Sequence, residues 1–204
     1  MNIKNIVTID FDIIMEPSIE IYNSMINDKY GIEDLAKINN LISYCNANLN
    51  TYSFLTTYLF NVFGLVDKSN IHFIYDHHKV YKYLNNEYKY NVYNIDHHHD
   101  FGYHDDSNKH LYCGNWVLKM EEDNLLNDYT WIANYTSSPF SKEDKFKKII
   151  LEKFDFSSLP IPDLLIICLS KQWVPEQFIP LFYLWLNCYN LYFNTEDNLF
   201  IENN

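Results

Sequence analysis

Short runs of β-branched and other apolar residues alternate with amphipathic stretches along this chain. The runs over 6–9, 71–75, 92–95 and 163–169 have the length and composition of buried strands. Strands that alternate with helices favour a parallel sheet, because each helix carries the chain back to the end of the sheet at which the previous strand began. The pattern therefore predicts an α/β fold, a three-layer α/β/α arrangement with a mainly parallel sheet, in one domain over 1–204.

The segments between these runs predict the helices. Apolar residues recur every three or four positions over 32–45 and 54–62, and Pro17 suits the first turn of a helix over 17–29. A helical stretch is predicted to follow His77 and to reach Leu84. Further helices are predicted over 116–126 and 141–154 and after Pro175, with a short strand over 130–133.

The composition excludes several classes of partner. A net charge of −12 disfavours nucleic acid and favours a cationic substrate. The chain has only four glycines and contains neither of the two common Gly-rich phosphate-binding motifs. Nucleotide binding by those motifs is therefore not expected. The apolar stretch over 178–193 is too short and too polar to span a membrane, so no membrane partner is expected. Widely spaced cysteines indicate reduced, mostly buried thiols and hence a cytoplasmic protein: Cys45, Cys113, Cys168 and Cys188.

Aspartates and histidines follow three of the predicted strands. All eight histidines lie between His72 and His110. The carboxyl ends of parallel strands share one edge of the sheet, which is where ligands bind in such folds. Residues i and i+2 of a strand point to the same side, so the side chains after each strand should converge. The converging set is Asp10 and Asp12 after the first strand, His77 or His78 after the second, and Asp96, His98 and Asp100 after the third.

Carboxylates mixed with imidazoles are typical ligands of Mn²⁺, with Zn²⁺ and Fe²⁺ as alternatives. The set is too rich in carboxylates for a single structural zinc site, and it predicts two ions bridged by carboxylates. His97 and His99 should face away as packing or supporting residues. His72 is predicted to be a core histidine. His104 and His110 lie in a polar loop, where either can shuttle protons; His104 is our candidate.

These motifs resemble those of the arginase and histone-deacetylase superfamily. The D-x-H-x-D motif of that superfamily is similar to Asp96, His98 and Asp100, and its D-x-D motif is similar to Asp10 and Asp12. Its single histidine corresponds to His77, with His78 as the alternative. Cys113-Gly114-Asn115 resembles a Ser-Gly-Asn segment that helps hold the amino-acid substrate in ureohydrolases. The D-x-D motif comes first here, as in a permuted branch, the UPF0489-like proteins, which include peptide arginases.

The resemblance implies a manganese-dependent hydrolase that converts arginine residues of a peptide to ornithine and releases urea. In this hypothesis Asp100 carries a proton to the leaving amine, and Glu176, after the last strand, holds the guanidinium group. Asn115 and Cys113 would contact the substrate. Two alternatives remain open: a DHH-type phosphoesterase, since Asp96-His97-His98 fits its motif, and a non-catalytic binding protein stabilised by metal. The sequence does not predict the oligomeric state.

Overall fold

The computed structural model describes residues 2–16, 45–102, 110–137, 142 and 144–195. The strands in this part of the chain are β1 (Asn2–Asp10), β2 (Met15–Glu16), β3 (Asn46–Ala47), β4 (Ile71–Ile74), β5 (Tyr88–Ile95), β6 (Leu126–Ala133), β7 (Lys147–Ile150) and β8 (Leu164–Cys168). The α-helices are α1 (Leu49–Phe63), α2 (Trp116–Glu122) and α3 (Ile179–Phe193). Short 3₁₀ helices follow several strands, at Phe11–Ile14, His77–Tyr83, Leu151–Lys153, Lys171–Trp173 and Glu176–Phe178.

Six strands form one sheet in the order β4-β8-β1-β5-β6-β7. All five neighbouring pairs in this sheet are parallel. The remaining two strands, β2 and β3, form a small antiparallel pair. Helices lie against the sheet, so the predicted three-layer α/β/α fold with a parallel sheet is confirmed.

The two faces of the sheet bury different sets of side chains. Val7 and Ile9 of β1 belong to the core cluster that contains residues of α1 and α3. Ile6 belongs to a second cluster, with Trp116 and Met120 of α2. Neighbouring residues of a strand point to opposite faces, so each central strand contributes side chains to both cores. Its sequence is therefore a continuous apolar run.

The order of the strands reverses beside β1. The chain passes from β1 to β4 on one side of it and later returns to β5 on the other side. The last strand, β8, then fills the position between β4 and β1. A reversal of strand order of this kind opens a ligand-binding crevice at the carboxyl ends of the strands.

Helix α1 confirms the helix predicted over 54–62, but it begins earlier, at Leu49. Its first turn is capped by Asn48, whose side-chain oxygen accepts a hydrogen bond of 3.0 Å from the Thr51 amide, and Gly64 follows its last residue. The predicted helix over 116–126 ends earlier, at Glu122, and the last helix begins at Ile179. The predicted helix over 17–29, and all but the last residue of the one over 32–45, lie outside the described residues.

The predicted charged helix over 141–154 is wrong. Strand β7 (Lys147–Ile150) runs beside β6 at the edge of the sheet, and a 3₁₀ turn follows it. Charged side chains are common on edge strands, where they discourage further strand pairing. The ammonium group of Lys148 lies 4.5 Å from the centre of the Trp131 ring on β6, which lets a lysine pack within a strand. The helical spacing of apolar residues was therefore misleading here.

None of the four cysteines forms a disulfide. Cys168 is fully buried in β8, whereas the other three are only partly buried, so the prediction of mostly buried thiols holds for one of them. Within the described ranges, no helix combines the length and the apolar character that a membrane crossing requires.

A candidate metal centre at the carboxyl edge of the sheet

The predicted aspartates and histidines meet at the carboxyl ends of the four strands β4, β8, β1 and β5. Asp10 is the last residue of β1, and Asp96 follows the last residue of β5. His77 begins the 3₁₀ helix after β4. The site therefore lies beside β1, at the carboxyl edge of the sheet where the strand order reverses.

The first group of donors surrounds His77. Its Nδ1 atom lies 3.3 Å from Asp10 Oδ2, 3.1 Å from Asp96 Oδ2 and 2.9 Å from Asp100 Oδ2. All four side chains are at most 4% exposed. Nevertheless, His77 Nδ1 makes no hydrogen bond of acceptable geometry. Lone pairs that converge on one buried point without hydrogen bonding to each other have the arrangement expected of ligands around a cation.

The second group lies next to the first and shares one residue with it. His98 Nδ1 lies 2.9 Å from Asp12 Oδ2 and 3.7 Å from Asp96 Oδ1. Asp12 Oδ2 is buried and also lacks a hydrogen bond of acceptable geometry. One carboxylate oxygen of Asp96 thus faces His77 and the other faces His98, as in a bridging ligand.

The donor atoms of each group lie close enough to hold one ion. Within Asp10, His77 and Asp96 the donor atoms all lie within 4.8 Å of one another, and the same holds within Asp12, Asp96 and His98; these sets are the two donor groups. Asp100, also predicted as a ligand, contacts His77 beside the first donor group but belongs to neither. Four ionised aspartates, the fourth being Asp100, carry four negative charges, which two divalent cations would neutralise. Burial of this many carboxylates without a cation is costly, so the residues present fit a pair of metal ions.

The pKa values show the same excess of negative charge. Burial, together with the charge of Asp96, raises the pKa of Asp10 and raises that of Asp100 to about 8. Burial and the charge of Asp10 raise the pKa of Asp12 well above its usual value. Burial also opposes ionisation of Asp96, but contacts with His77 and His98 outweigh it and hold its pKa well below the usual value.

The two histidines of the cluster are drawn toward the protonated form. Burial alone would lower their pKa values, but the surrounding aspartates outweigh burial and raise the pKa of both His77 and His98 well above the usual value. A site that raises histidine pKa values in this way attracts any cation, whether a proton or a metal ion.

The chain reaches this arrangement by turns, and not by the extended strands that the sequence led us to expect. Asp12 lies in the 3₁₀ helix after β1, and its amide donates to Asp10 Oδ1 at 3.5 Å. After β5 the His98 amide donates to Asp96 Oδ1 at 2.8 Å, which bends the segment back. Asp100 has a positive φ of 51°, a conformation that aspartate tolerates better than most residues. The predicted convergence is confirmed, but the predicted geometry is wrong.

Three further residues orient the candidate ligands. Thr8 Oγ1 lies 2.5 Å from Nε2 of His77, so this ring's other nitrogen is left facing the aspartates. The Ser170 hydroxyl, after β8, donates to Asp10 Oδ2. The indole of Trp116 donates to Asp100 Oδ2 at 2.5 Å. Hydrogen bonds of this kind fix the orientation of metal ligands.

Asp96, the candidate ligand that both donor groups share, is held at its side chain and at its main chain. The side-chain amide of Asn94 donates to Asp96 Oδ2 at 3.2 Å, and the Trp131 indole donates to its main-chain carbonyl at 2.8 Å. The sequence pattern did not indicate these supporting residues. Only Ser170 carried a usable signal, because it is a polar residue just after a strand that ends at the same edge.

Replacing Thr8 by valine is expected to weaken metal binding about 10- to 100-fold, as losses of supporting hydrogen bonds to metal ligands typically do. Valine keeps the shape of threonine but leaves His77 Nε2 without its partner. A calorimetric titration with Mn²⁺ measures the change, and Thr130→Val in β6 is the matched control. An unchanged affinity in the Thr8 variant would show that Thr8 does not orient a ligand.

The other histidines lie outside both donor groups. Burial and the nearby His98 lower the pKa of His97 to about 3 and that of His99 to about 4. Nδ1 of His99 accepts a hydrogen bond of 3.0 Å from the Phe101 amide, so His99 supports the turn as predicted. His72 stacks on Tyr83 with the ring centres 3.7 Å apart. Of the two alternatives left by the sequence, His77 lies in a donor group and His78 does not, so His77 is the candidate ligand.

The predicted substrate-binding residues lie in different surroundings. Cys113 is close enough to the cluster that burial and the charge of Asp100 raise its pKa to about 11. Asn115 is buried, but its side chain accepts from the Tyr112 amide at 2.8 Å and donates to the His110 carbonyl at 3.1 Å. Its carboxamide therefore holds the loop, which does not support its predicted contact with substrate.

Glu176 is exposed and belongs to neither donor group. The turn after β8 brings Trp173 against His98 instead, with the ring centres 5.0 Å apart. His104, the predicted proton shuttle, lies outside the described residues.

Comparison with protein-family models, curated proteins and solved structures gives no match to this chain. The function of this chain is therefore inferred from its fold and from the geometry of this cluster. The likeness of its motifs to those of ureohydrolases is an interpretation of the residues themselves.

Proposed function

We propose that this chain is a hydrolase that uses two divalent cations to break a C–N bond of a guanidinium group. The observation that carries the proposal is the pair of donor groups that share Asp96 at the carboxyl edge of the sheet beside β1. Manganese is the ion we expect, with zinc or iron as alternatives, because the donors are carboxylate oxygens and imidazole nitrogens. Two such ions, when bound, would activate a water molecule for attack near neutral pH.

The charge of the protein favours a cationic substrate. The chain carries a net charge of −12, which raises the local concentration of cations around it. An arginine side chain is such a cation, whether it belongs to a peptide or to the free amino acid; we expect a peptide. In the overall reaction, R–NH–C(NH₂)₂⁺ and water give R–NH₃⁺ and urea, so the positive charge passes to the ornithine amine.

Asp100 is our candidate for moving the proton that this reaction requires. Its carboxylate lies 2.9 Å from His77 Nδ1 and accepts from Trp116, so its position is fixed. Burial and the charge of Asp96 raise its pKa to about 8, and a bound cation would lower this value. A carboxyl group with a pKa brought near neutrality can accept a proton from water and donate it to the leaving amine.

No observation favours the phosphoesterase alternative. The chain contains no arginine, so it cannot form the bidentate arginine contacts that often hold phosphate. His97, the middle residue of Asp96-His97-His98, lies outside both donor groups. The non-catalytic alternative has no observation of its own in its favour, because both interpretations use the same two donor groups.

The test is an assay of the Mn²⁺-loaded protein with free arginine and with an arginine-containing peptide. We expect urea from the peptide, together with a mass loss of about 42 per arginine. This loss is the mass of the urea released less the mass of the water added. Urea from free arginine alone would indicate an ordinary ureohydrolase. No urea from either substrate would overturn the proposal, and release of phosphate from a dinucleotide would replace it with the phosphoesterase.

A further inference from the structure

The cluster is accessible mainly on the side of His98. Its side chain is 27% exposed, whereas those of His77, Asp10, Asp12, Asp96 and Asp100 are at most 4% exposed. Among the described residues of the cluster, His98 is therefore the one that a molecule from solvent can contact most readily. The ring of Trp173, which is half-buried, lies 5.0 Å from the ring of His98 at an angle of 48°.

The position of Trp173 is tied to the cluster itself. Ser170 follows β8 and adopts a left-handed conformation, with φ of 43° and ψ of 57°, which is uncommon for serine. Its hydroxyl donates to Asp10, and its carbonyl accepts a hydrogen bond of 2.8 Å from the Trp173 amide. The same residue thus orients a candidate metal ligand and fixes the turn that carries the tryptophan.

We propose that the indole face of Trp173 binds the planar cationic head of the substrate and so selects a guanidinium group. The identity of the substrate in this proposal rests on the proposed function. Aromatic faces attract cations, and a guanidinium is flat and weakly hydrated, so it stacks on an indole. A carboxylate at the same place would bind the cation but would also compete for the metal ions. An aromatic ring binds the cation without this competition.

A tryptophan at position 173 also favours release of the products. Urea is neutral, and the ornithine amine is a compact, strongly hydrated cation that cannot stack as a flat group. Binding to Trp173 would therefore be strong for the substrate and weak for both products.

An NMR titration of the Zn²⁺-loaded protein tests this proposal with butylguanidinium and with its neutral analogue butylurea. The chain has four tryptophans, and the indole N–H signal absent from Trp173→Phe identifies Trp173. We expect this signal to shift with butylguanidinium and not with butylurea. Trp173→Leu should weaken binding of butylguanidinium about 5- to 30-fold, the range for loss of a cation–π contact, and Trp173→Phe should weaken it less.

Phe54→Leu, at an exposed position of α1, is the matched control and should leave binding unchanged. Zinc content measured on every variant separates substrate binding from support of His98. Loss of zinc in Trp173→Leu, or equal weakening of both probes, would show that Trp173 merely supports His98 and would overturn the proposal. Unchanged binding of butylguanidinium would also overturn it.

Urea production by the wild-type Mn²⁺-loaded protein distinguishes this proposal from the proposed function. If the wild type selects butylguanidinium through Trp173 but forms no urea, the proposed function fails and the binding role of Trp173 stands. If the wild type forms urea and Trp173→Leu keeps the same KM, only the role of Trp173 fails. A higher KM with an unchanged kcat in Trp173→Leu is the result we expect.

Discussion

Replacing Asp96 by asparagine is expected to remove both metal ions and to abolish turnover. Asp96 directs one oxygen toward His77 and the other toward His98, so a single substitution damages both donor groups. Asparagine keeps the size of the side chain but removes its negative charge and replaces one oxygen with a hydrogen-bond donor. Changes to supporting residues alone typically cost about 10- to 100-fold in metal affinity, so loss of a shared ligand should cost more.

Elemental analysis of the purified variant, with its urea production, measures this effect. Asp144→Asn is the control, because Asp144 is an exposed aspartate outside both donor groups. Circular dichroism should show that both variants are folded. Wild-type metal content in a folded Asp96 variant would contradict the assignment of Asp96 as the bridging ligand.

Addition of Mn²⁺ to the metal-free protein is expected to raise its melting temperature by about 5–10 °C for each ion bound. The carboxylates repel one another, and a ligand that binds only the folded chain adds about 2.7 kcal/mol to the free energy of unfolding at 100 times its Kd. For a chain of this length, 1 kcal/mol corresponds to about 2–4 °C. Differential scanning fluorimetry with Mn²⁺ and with a chelator measures the shift.

The Asp96→Asn variant provides the control for this stabilisation. Its melting temperature should respond much less to Mn²⁺ than that of the wild type, because both donor groups are damaged. A wild-type protein whose melting temperature is the same with Mn²⁺ and with chelator would contradict metal binding in both the catalytic and the non-catalytic interpretation.

The sequence predicted the fold and the location of the site because the order and the ends of the strands determine both. Apolar runs marked the central strands, and the polar residue after each run marked the edge where the ligands meet. Asp10 and Asp96 illustrate this, since each stands at the end of a central strand of a parallel sheet. Such predictions need only the order of the elements and the alternation of a strand.

The details that the sequence did not predict depend on turns and on distant packing. The sharp turn at Ser170 places Trp173, and not Glu176, beside His98. The indole of Trp116 reaches Asp100 from a helix 16 residues later, and no local pattern indicates that contact. The segment 141–154 was wrongly predicted to be a helix, because an edge strand can carry the same mixture of lysines and apolar residues as an amphipathic helix.

The central claim is that this chain holds two metal ions at the edge of its sheet. The most direct measurement is anomalous diffraction from crystals grown with Mn²⁺. Two peaks are expected, one among Asp10, His77 and Asp96 and the other among Asp12, Asp96 and His98. No anomalous peak at the cluster, in crystals that diffract well enough to show bound manganese, would contradict the account.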